Sequence, residues 1–401
     1  IGNLTNLEEL RLDYNSLVGG IPSEVGNLSR LTALKLNGNP LGGGIPMFLG
    51  QLTNLESLDL GSDALGGEIP PVLGNLVKLT SLFLEGNQLG GAIPAELGNL
   101  RGLTCLYLSR NQLSGMLPGS LGNLTQLDSL DLGSNQLTGS VPPTFGNMTN
   151  LTYLFLERNQ LSGELPAAVG NLHQLIALMA FENQLTGPLP GTIGRLTNLE
   201  FLHLASNQLS GPLPDTVGQM VSLRSLRLET NAISGPVPAS LSTLTNLETI
   251  YLASNRLTGT VPVSLMSCSN LTWCSLADNL LSGTLPDLSG CASFPYLDFS
   301  NNRLDLTSSL PNVQRMLDRK MAIIYLPQAF VIGSLGLANG RVVIPWNATP
   351  NQYYQVQYMT ELNQADWVPI GDPVLASKDT AQISVDPGTD PRRFYRVIGV
   401  P

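Results

Sequence analysis

Two histidines, four cysteines and three tryptophans are all that the 401 residues contain of these side chains. Four cysteines are too few for a disulfide scaffold, and no Cys or His spacing suits a metal. Charge is scarce as well: Asp, Glu, Lys and Arg make up 12% of the chain, with 20 basic against 30 acidic residues and a net charge of −10. A nucleic-acid binder needs a basic face to meet phosphates, so this balance argues against one. No apolar run approaches the length of a membrane-spanning helix. A signal peptide is also missing. The chain opens in mid-repeat at "IGNLTNLEEL", which reads as a fragment or a processed form, so the missing signal says little about location.

What the chain has in excess is Leu, Asn, 41 Gly and 28 Pro, and they recur at a fixed period of 24 residues. The template is L-x-x-L-x-L-x-x-N-x-L-x-G-x-(I/L/V)-P followed by an apolar residue and G-N-L. Its Asn position falls at Asn15, Asn39, Asp63, Asn87, Asn111, Asn135, Asn159, Asn183, Asn207, Asn231, Asn255 and Asn279, with a last turn one residue early at Asn302. These thirteen turns are numbered here in that order. Gly19 to Gly283 and Pro22 to Pro286 accompany the first twelve. Self-similarity of this strength predicts a solenoid whose turns bury one continuous core.

Each template position has a physical task. The L-x-L segment alternates with period two, as at Leu154 and Leu156, and predicts a short strand with its Leu pair turned inward. Strands of successive turns should stack in parallel at about 4.8 Å. The Asn amide both donates and accepts, so a ladder of them can satisfy backbone groups between turns. Asp63 keeps the acceptor and loses the donors, which should weaken that rung. Gly permits a backbone bend, Pro fixes φ, and the later apolar residues close the core on the convex side.

"LSGELP" and "LTGSVP" resemble the L-x-G-x-(I/L)-P signature of plant-type leucine-rich repeats, over about residues 1–305. The resemblance implies a curved solenoid with a second strand near that signature. It also implies a recognition module for peptides or proteins, as in receptor kinase ectodomains and inhibitors of pectin-degrading enzymes. No paired-cysteine cap follows the repeats, a departure from those plant ectodomains. The expected fold is therefore an α/β repeat solenoid, with a parallel sheet on its concave face, followed by a small all-β sandwich.

After Leu304 the regularity ends. "LPNVQRMLDRKMAIIYLPQ" sets Val313, Met316, Leu317 and Met321 at helical spacing, predicting a helix that covers the last open turn. A helix for a partner is the alternative. From about Ala329 short alternating runs appear: "RVVIPW", "YYQVQYM", "DWVPIGDPV", "TAQISV" and "RRFYRVIGV". Their intervals suit an antiparallel sandwich. Tyr354 to Leu362, Trp367 and Arg392 to Val397 resemble fibronectin-III-like modules near the C-termini of secreted bacterial proteins. This resemblance implies an exported bacterial protein. The expected division is 1–305 solenoid, 306–328 helical cap and linker, 329–401 β-sandwich module.

Few candidates for chemistry emerge. Cys268 and Cys291 occupy equivalent core places of neighbouring turns. They read either as small buried hydrophobes or as a disulfide. Cys274 replaces an inward Leu, and Cys105 sits on the water-facing strand edge. His173 belongs to a convex loop and His203 to a concave strand, and no Ser–His–Asp or Cys–His set converges. "GGGIP" lacks the Lys and helix of a phosphate loop. The expectation is no catalysis, no cofactor and no metal. Sequons begin at Asn3, Asn27, Asn123, Asn147, Asn150, Asn270 and Asn347, several of them products of the repeat itself.

The informative variation lies on the concave strands. The column between the two inward Leu reads Arg11, Lys35, Asp59, Phe83, Tyr107, Asp131, Phe155, Met179, His203, Arg227, Tyr251, Ser275, Asp298. The preceding column holds Tyr153, Phe201, Trp273 and Tyr296 among small residues. The following one is small or acidic except for Phe181. Tyr153, Phe155, Met179, Phe181, Phe201 and His203 should therefore form one patch over turns 7 to 9, rimmed by Asp131, Glu157, Glu182 and Arg227. Aromatics on a rigid sheet with a charged rim suit an interface. The competing explanation is β-propensity alone. Candidate ligand-binding residues are Phe83, Tyr107, Asp131, Tyr153, Phe155, Glu157, Met179, Phe181, Phe201, His203, Arg227, Tyr251 and Trp273. The expected function is non-enzymatic recognition of a protein or peptide by an extracellular or cell-surface protein. Two alternatives stand beside it: an adhesion or spacer protein whose C-terminal module binds surface or polysaccharide material, and an inhibitor of a carbohydrate-degrading enzyme.

Overall fold

The computed structural model describes residues 1–289, 296–318, 323–324, 336–338, 341–347, 353–359, 368–377, 380–385 and 394–400. Each turn contributes a three-residue strand to one parallel sheet, from Glu9–Arg11 through Tyr296–Asp298. Pairing runs in register: Tyr153, Leu154 and Phe155 lie beside Ala177, Leu178 and Met179, which lie beside Phe201, Leu202 and His203. The middle residue of each strand, Leu except at Ile250 and Cys274, points inward and its neighbours outward, as strand alternation requires. Leu154, Leu156, Leu161, Leu172 and Leu175 are all fully buried. A buried Leu contributes roughly 1.5–3 kcal/mol, so the repeated Leu positions supply most of the driving force.

The asparagines form the expected ladder. Asn159 donates from Nδ2 to the carbonyls of Leu132 and Leu156 at 3.0 and 3.1 Å, and its Oδ1 accepts from the Leu137 amide at 3.0 Å. One side chain thus joins two turns. The residue before the ladder position takes a left-handed conformation, as at Arg158 with φ 55°. Gly38 and Gly86 hold the place in two turns, but Tyr, Ser, Arg, Glu, Thr, Asp and Asn hold it in the others, so the template did not announce it.

A second sheet flanks the first, with seven parallel strands from Ser114–Met116 to Arg256–Thr258. Short 3-10 helices such as Ala167–Asn171 form the convex side, each entered through the template Pro. The turns pack so closely there that a Cβ on Gly170 would meet the backbone carbonyl of Thr192.

The helix expected after the repeats spans Leu306–Asp318, with Val313 and Met316 buried. Met321 lies outside the described residues. The helix docks by polar bonds too: Asn312 Nδ2 donates to the Leu285 carbonyl at 2.7 Å, and the Leu285 amide donates to Ser309 Oγ at 2.9 Å. Beyond it, Ile323–Ile324 adds a fourteenth strand to the concave sheet beside Leu297 and Asp298. No template residue announced that strand.

The C-terminal strands are antiparallel, as expected of an all-β module. Arg341–Asn347 pairs with Gly336–Ala338 and Thr380–Val385. Tyr353–Met359 pairs with Phe394–Val400, Val368–Pro369 and Val374–Leu375. Tyr354 and Val356 are buried as the alternation predicts, but Gln355 is buried as well, with Nε2 donating to the carbonyls of Ile370 and Gly371 at 3.1 and 3.2 Å.

Candidate functional site

The outward residues of the concave strands line up in the three columns read from the sequence. Phe155, Met179 and His203 are consecutive register partners in the central column, and all are half-buried. Tyr153 is exposed, with its ring centroid 6.0 Å from that of Phe155. Phe201 meets His203 edge to face at 6.2 Å. Buried Ala177 separates Tyr153 from Phe201, so the patch is continuous through the central column and notched in the column before it. Phe181 closes the opposite margin, under the guanidinium of Arg158 at 5.7 Å from its centroid. Arg158 in turn pairs with Glu182 at 3.3 Å.

His203 is held as a neutral ring. Burial lowers its pKa to about 4, with the Arg227 charge adding to the effect. Its Nε2 lies 2.9 Å from Ser225 Oγ, and Thr249 Oγ1 donates to that same oxygen at 2.8 Å. The sequence did not place a serine against this histidine, because the contact runs diagonally between turns. Among the described residues no carboxylate hydrogen-bonds the ring, so the chain of hydroxyls orients an imidazole and does not complete a catalytic triad.

Two further aromatic groups flank the patch. Phe83 and Tyr107 meet edge to face at 5.1 Å. Tyr251, Trp273 and Tyr296 stack in sequence at 5.8 and 4.0 Å, and Arg227 caps the stack 4.7 Å from the Tyr251 centroid. Tyr296, read from the sequence as a member of the preceding column but not as a candidate ligand-binding residue, belongs to this stack. Arg227 also pairs with Glu229, Nε to Oε1 at 3.0 Å, so its charge is largely answered within its own strand.

Acidic residues separate the first two aromatic groups. Asp131 accepts from Ser109 Oγ at 2.7 Å and from the Gly133 amide at 3.1 Å. Glu157 folds back over Gly133 of the preceding turn, where a Cβ would collide with its carboxylate. Burial pushes the Glu157 carboxyl above its ordinary range; Asp131 adds to this, against Arg158 and Arg110. Glu85 lies over Gly61 in the same manner, and burial raises it likewise, helped by Asp59 and Asp131. Each Glu of this column therefore needs a small residue one turn earlier.

Cys268 and Cys274 are buried, and Cys268 Sγ lies 3.4 Å from the Leu241 carbonyl. Cys291 lies outside the described residues. Among the described residues no group of His, Cys, Asp and Glu is arranged to hold a metal ion. No described helix is long and apolar enough to cross a membrane.

Family profiles match within the solenoid: "Leucine-rich repeat region" over residues 143–276, "Leucine rich repeat" over 94–137, and "Leucine Rich Repeat" over 6–28 and 78–100. Among solved structures, the plant peptide hormone receptor RGFR1, in complex with RGF2, is 34% identical at a TM-score of 0.68, over 76% of this chain and 53% of that one. The leucine-rich repeat ectodomain of the Arabidopsis thaliana receptor kinase GASSHO1/SCHENGEN3 is 34% identical at a TM-score of 0.67, over 82% of this chain and 48% of that one. The chain is a leucine-rich repeat protein of the plant type. This leucine-rich repeat protein spans about half the length of those two receptors. A Leptospira interrogans leucine-rich repeat protein is 28% identical at a TM-score of 0.55, over 81% of this chain and 91% of that one. No curated protein matches the sequence significantly.

Proposed function

We propose that this leucine-rich repeat protein is a non-enzymatic recognition module that binds a linear peptide or a protein segment along its concave face. The observation that carries the reading is the continuous half-buried row Phe155–Met179–His203, widened by Tyr153, Phe181 and Phe201. Strands fixed by pairing on both sides lose little freedom on docking, so apolar contact there converts efficiently into affinity. A neutral His203 keeps the row free of charge at pH 7. The plant receptors similar to this chain include the peptide hormone receptor RGFR1, solved in complex with RGF2, and HAESA, solved with the peptide hormone IDA.

The division into solenoid 1–305, cap 306–328 and β-module 329–401 belongs to the same proposal, with the terminal module as a spacer or surface attachment. So does an extracellular setting. The bacterial source that the C-terminal pattern implies gains no support from the two receptor neighbours at 34% identity, which are plant proteins.

The test is selection of random peptides on the full chain, followed by affinity measurement against a Tyr153→Ser/Phe155→Ser/Phe201→Ser variant whose melting matches the wild type. Selected peptides should bind the variant at least about tenfold more weakly, since central aromatic anchors dominate such interfaces. Peptides that bind both proteins equally would remove the patch from recognition and favour the spacer alternative.

A further inference from the structure

The concave face carries the same small constellation twice. "SLDLGS" occurs at Ser57–Ser62 and again at Ser129–Ser134, three turns later. Each is followed one turn on by "LFLE", at Leu82–Glu85 and Leu154–Glu157. In space, each copy joins an Asp and a Glu from adjacent turns with a Phe beside them: Asp59, Phe83 and Glu85, then Asp131, Phe155 and Glu157. Asp59 and Asp131 are fixed by the amides of Gly61 and Gly133, at 3.2 and 3.1 Å. Both glutamates are seated over those glycines, and both leave Oε2 buried with no hydrogen-bond partner. The next turn adds a second apolar residue to each copy, Tyr107 and Met179.

No Lys or Arg stands in the three concave columns between Lys35 and Arg227. The face therefore alternates acidic, apolar, acidic, apolar, with a period of three turns; Lys35 stands one turn before Asp59, and Arg110 and Arg158 lie outside the columns beside the second copy. Burial has already raised Glu85 and Glu157. A ligand cation held above either pair would relieve that cost by Coulomb attraction across the partly desolvated site.

Resting on the concave-face reading above, we propose that the ligand is an extended peptide of the form basic–x–apolar–x–basic–x–apolar. The spacing supplies the register. Three turns at about 4.8 Å separate the two acidic pairs by about 14 Å, and residues i and i+4 of an extended strand lie about 13–14 Å apart. Residues i, i+2, i+4 and i+6 of such a strand share one face, so two basic and two apolar side chains would alternate toward the sheet. The first apolar side chain falls on Phe83 and Tyr107, the second on Phe155 and Met179. The duplicated acidic pairs fix which peptides bind, while the apolar row supplies affinity.

The test uses two labelled synthetic peptides of one composition, KSLSKSL and KKSSSLL, titrated by fluorescence anisotropy against the full chain. A variant carrying Asp59→Asn, Glu85→Gln, Asp131→Asn and Glu157→Gln keeps the amide-capping oxygens and removes charges that burial disfavours, so its melting should match the wild type. KSLSKSL should bind the wild type at least about tenfold more tightly than its isomer, and the gap should vanish in the variant and in high salt. Equal binding of the two isomers, or a gap that survives in the variant, would overturn the proposal. If peptides selected at random depend on Tyr153, Phe155 and Phe201 but show no basic spacing, the concave-face reading stands and this one falls.

Discussion

Asp63 offers the sharpest test of how the ladder works. It is fully buried at a place where eleven turns use Asn and one, the last, uses Asn302 in the same role. Its Oδ1 accepts from the Asn39 amide at 2.8 Å, as a ladder Asn would, while Oδ2 has no partner. In an ordinary turn the amide nitrogen in that position donates to two carbonyls, which here would be those of Leu36 and Leu60. Asn39 and Asn87 each still serve one of them. Burial raises the Asp63 pKa from 3.8 to about 7, and the neighbouring Asp59 adds to the rise. A raised carboxyl favours the folded state fully below pH 3.8 and progressively less as pH climbs to about 7. Three pH units at about 1.4 kcal/mol each give a loss of about 4 kcal/mol.

Asp63→Asn restores both donors at every pH. It should therefore stabilise turns 2 to 4 by about 4 kcal/mol at pH 8, and by about 1 kcal/mol at pH 4, where the protonated acid already supplies one donor. Because a solenoid opens locally, hydrogen exchange over residues 33–90, corrected for the intrinsic pH dependence of exchange, is the suitable assay. Equal protection in wild type and variant at pH 8, or a wild type whose protection does not change between pH 4 and 8, would refute the reasoning.

Asn159→Asp should do the reverse, weakening turns 6 to 8 by about 3 kcal/mol at pH 8 and by less at pH 4, as read by the same exchange experiment. Gly170→Ala forces a Cβ against the Thr192 carbonyl and should cost about 1–3 kcal/mol in denaturant titration, whereas Gly191→Ala, with open space around it, should cost less than about 1 kcal/mol. The His203 imidazole should titrate near 4 by NMR. Because its folded pKa lies below 6.5, stability should fall as pH drops from 6.5 toward 4, and His203→Gln should abolish that part of the fall. Gly61→Ala should displace the Glu85 carboxylate, 2.8 Å from the new methyl group, and return the Glu85 titration toward its ordinary range.

The concave face was legible because the period is rigid. Once Leu154 and Leu156 face inward, Tyr153, Phe155 and Glu157 must face out, and a 24-residue step puts Phe155 beside Met179 and Met179 beside His203. Rotamers and diagonal contacts were not legible. The Ser225–His203 contact spans 22 residues, two short of the period, and arises only when the ring leans toward the next turn. The fold of Glu85 and Glu157 onto glycines likewise depends on what the preceding turn leaves empty.

A 24-residue pattern repeated in register is enough to specify the solenoid, its ladder and which side chains share each concave column, because each of these follows from local spacing. Tertiary structure decided the rest. It brought Ile323–Ile324 back as a fourteenth strand, and it divided the aromatics into Phe83–Tyr107, the row around Phe155, and the Tyr251–Trp273–Tyr296 stack. It also half-buried the Glu85 and Glu157 carboxylates, which a linear reading leaves in water. These outcomes depend on how side chains from different turns share space and exclude water, and a period sets where such side chains start but not how they settle against one another.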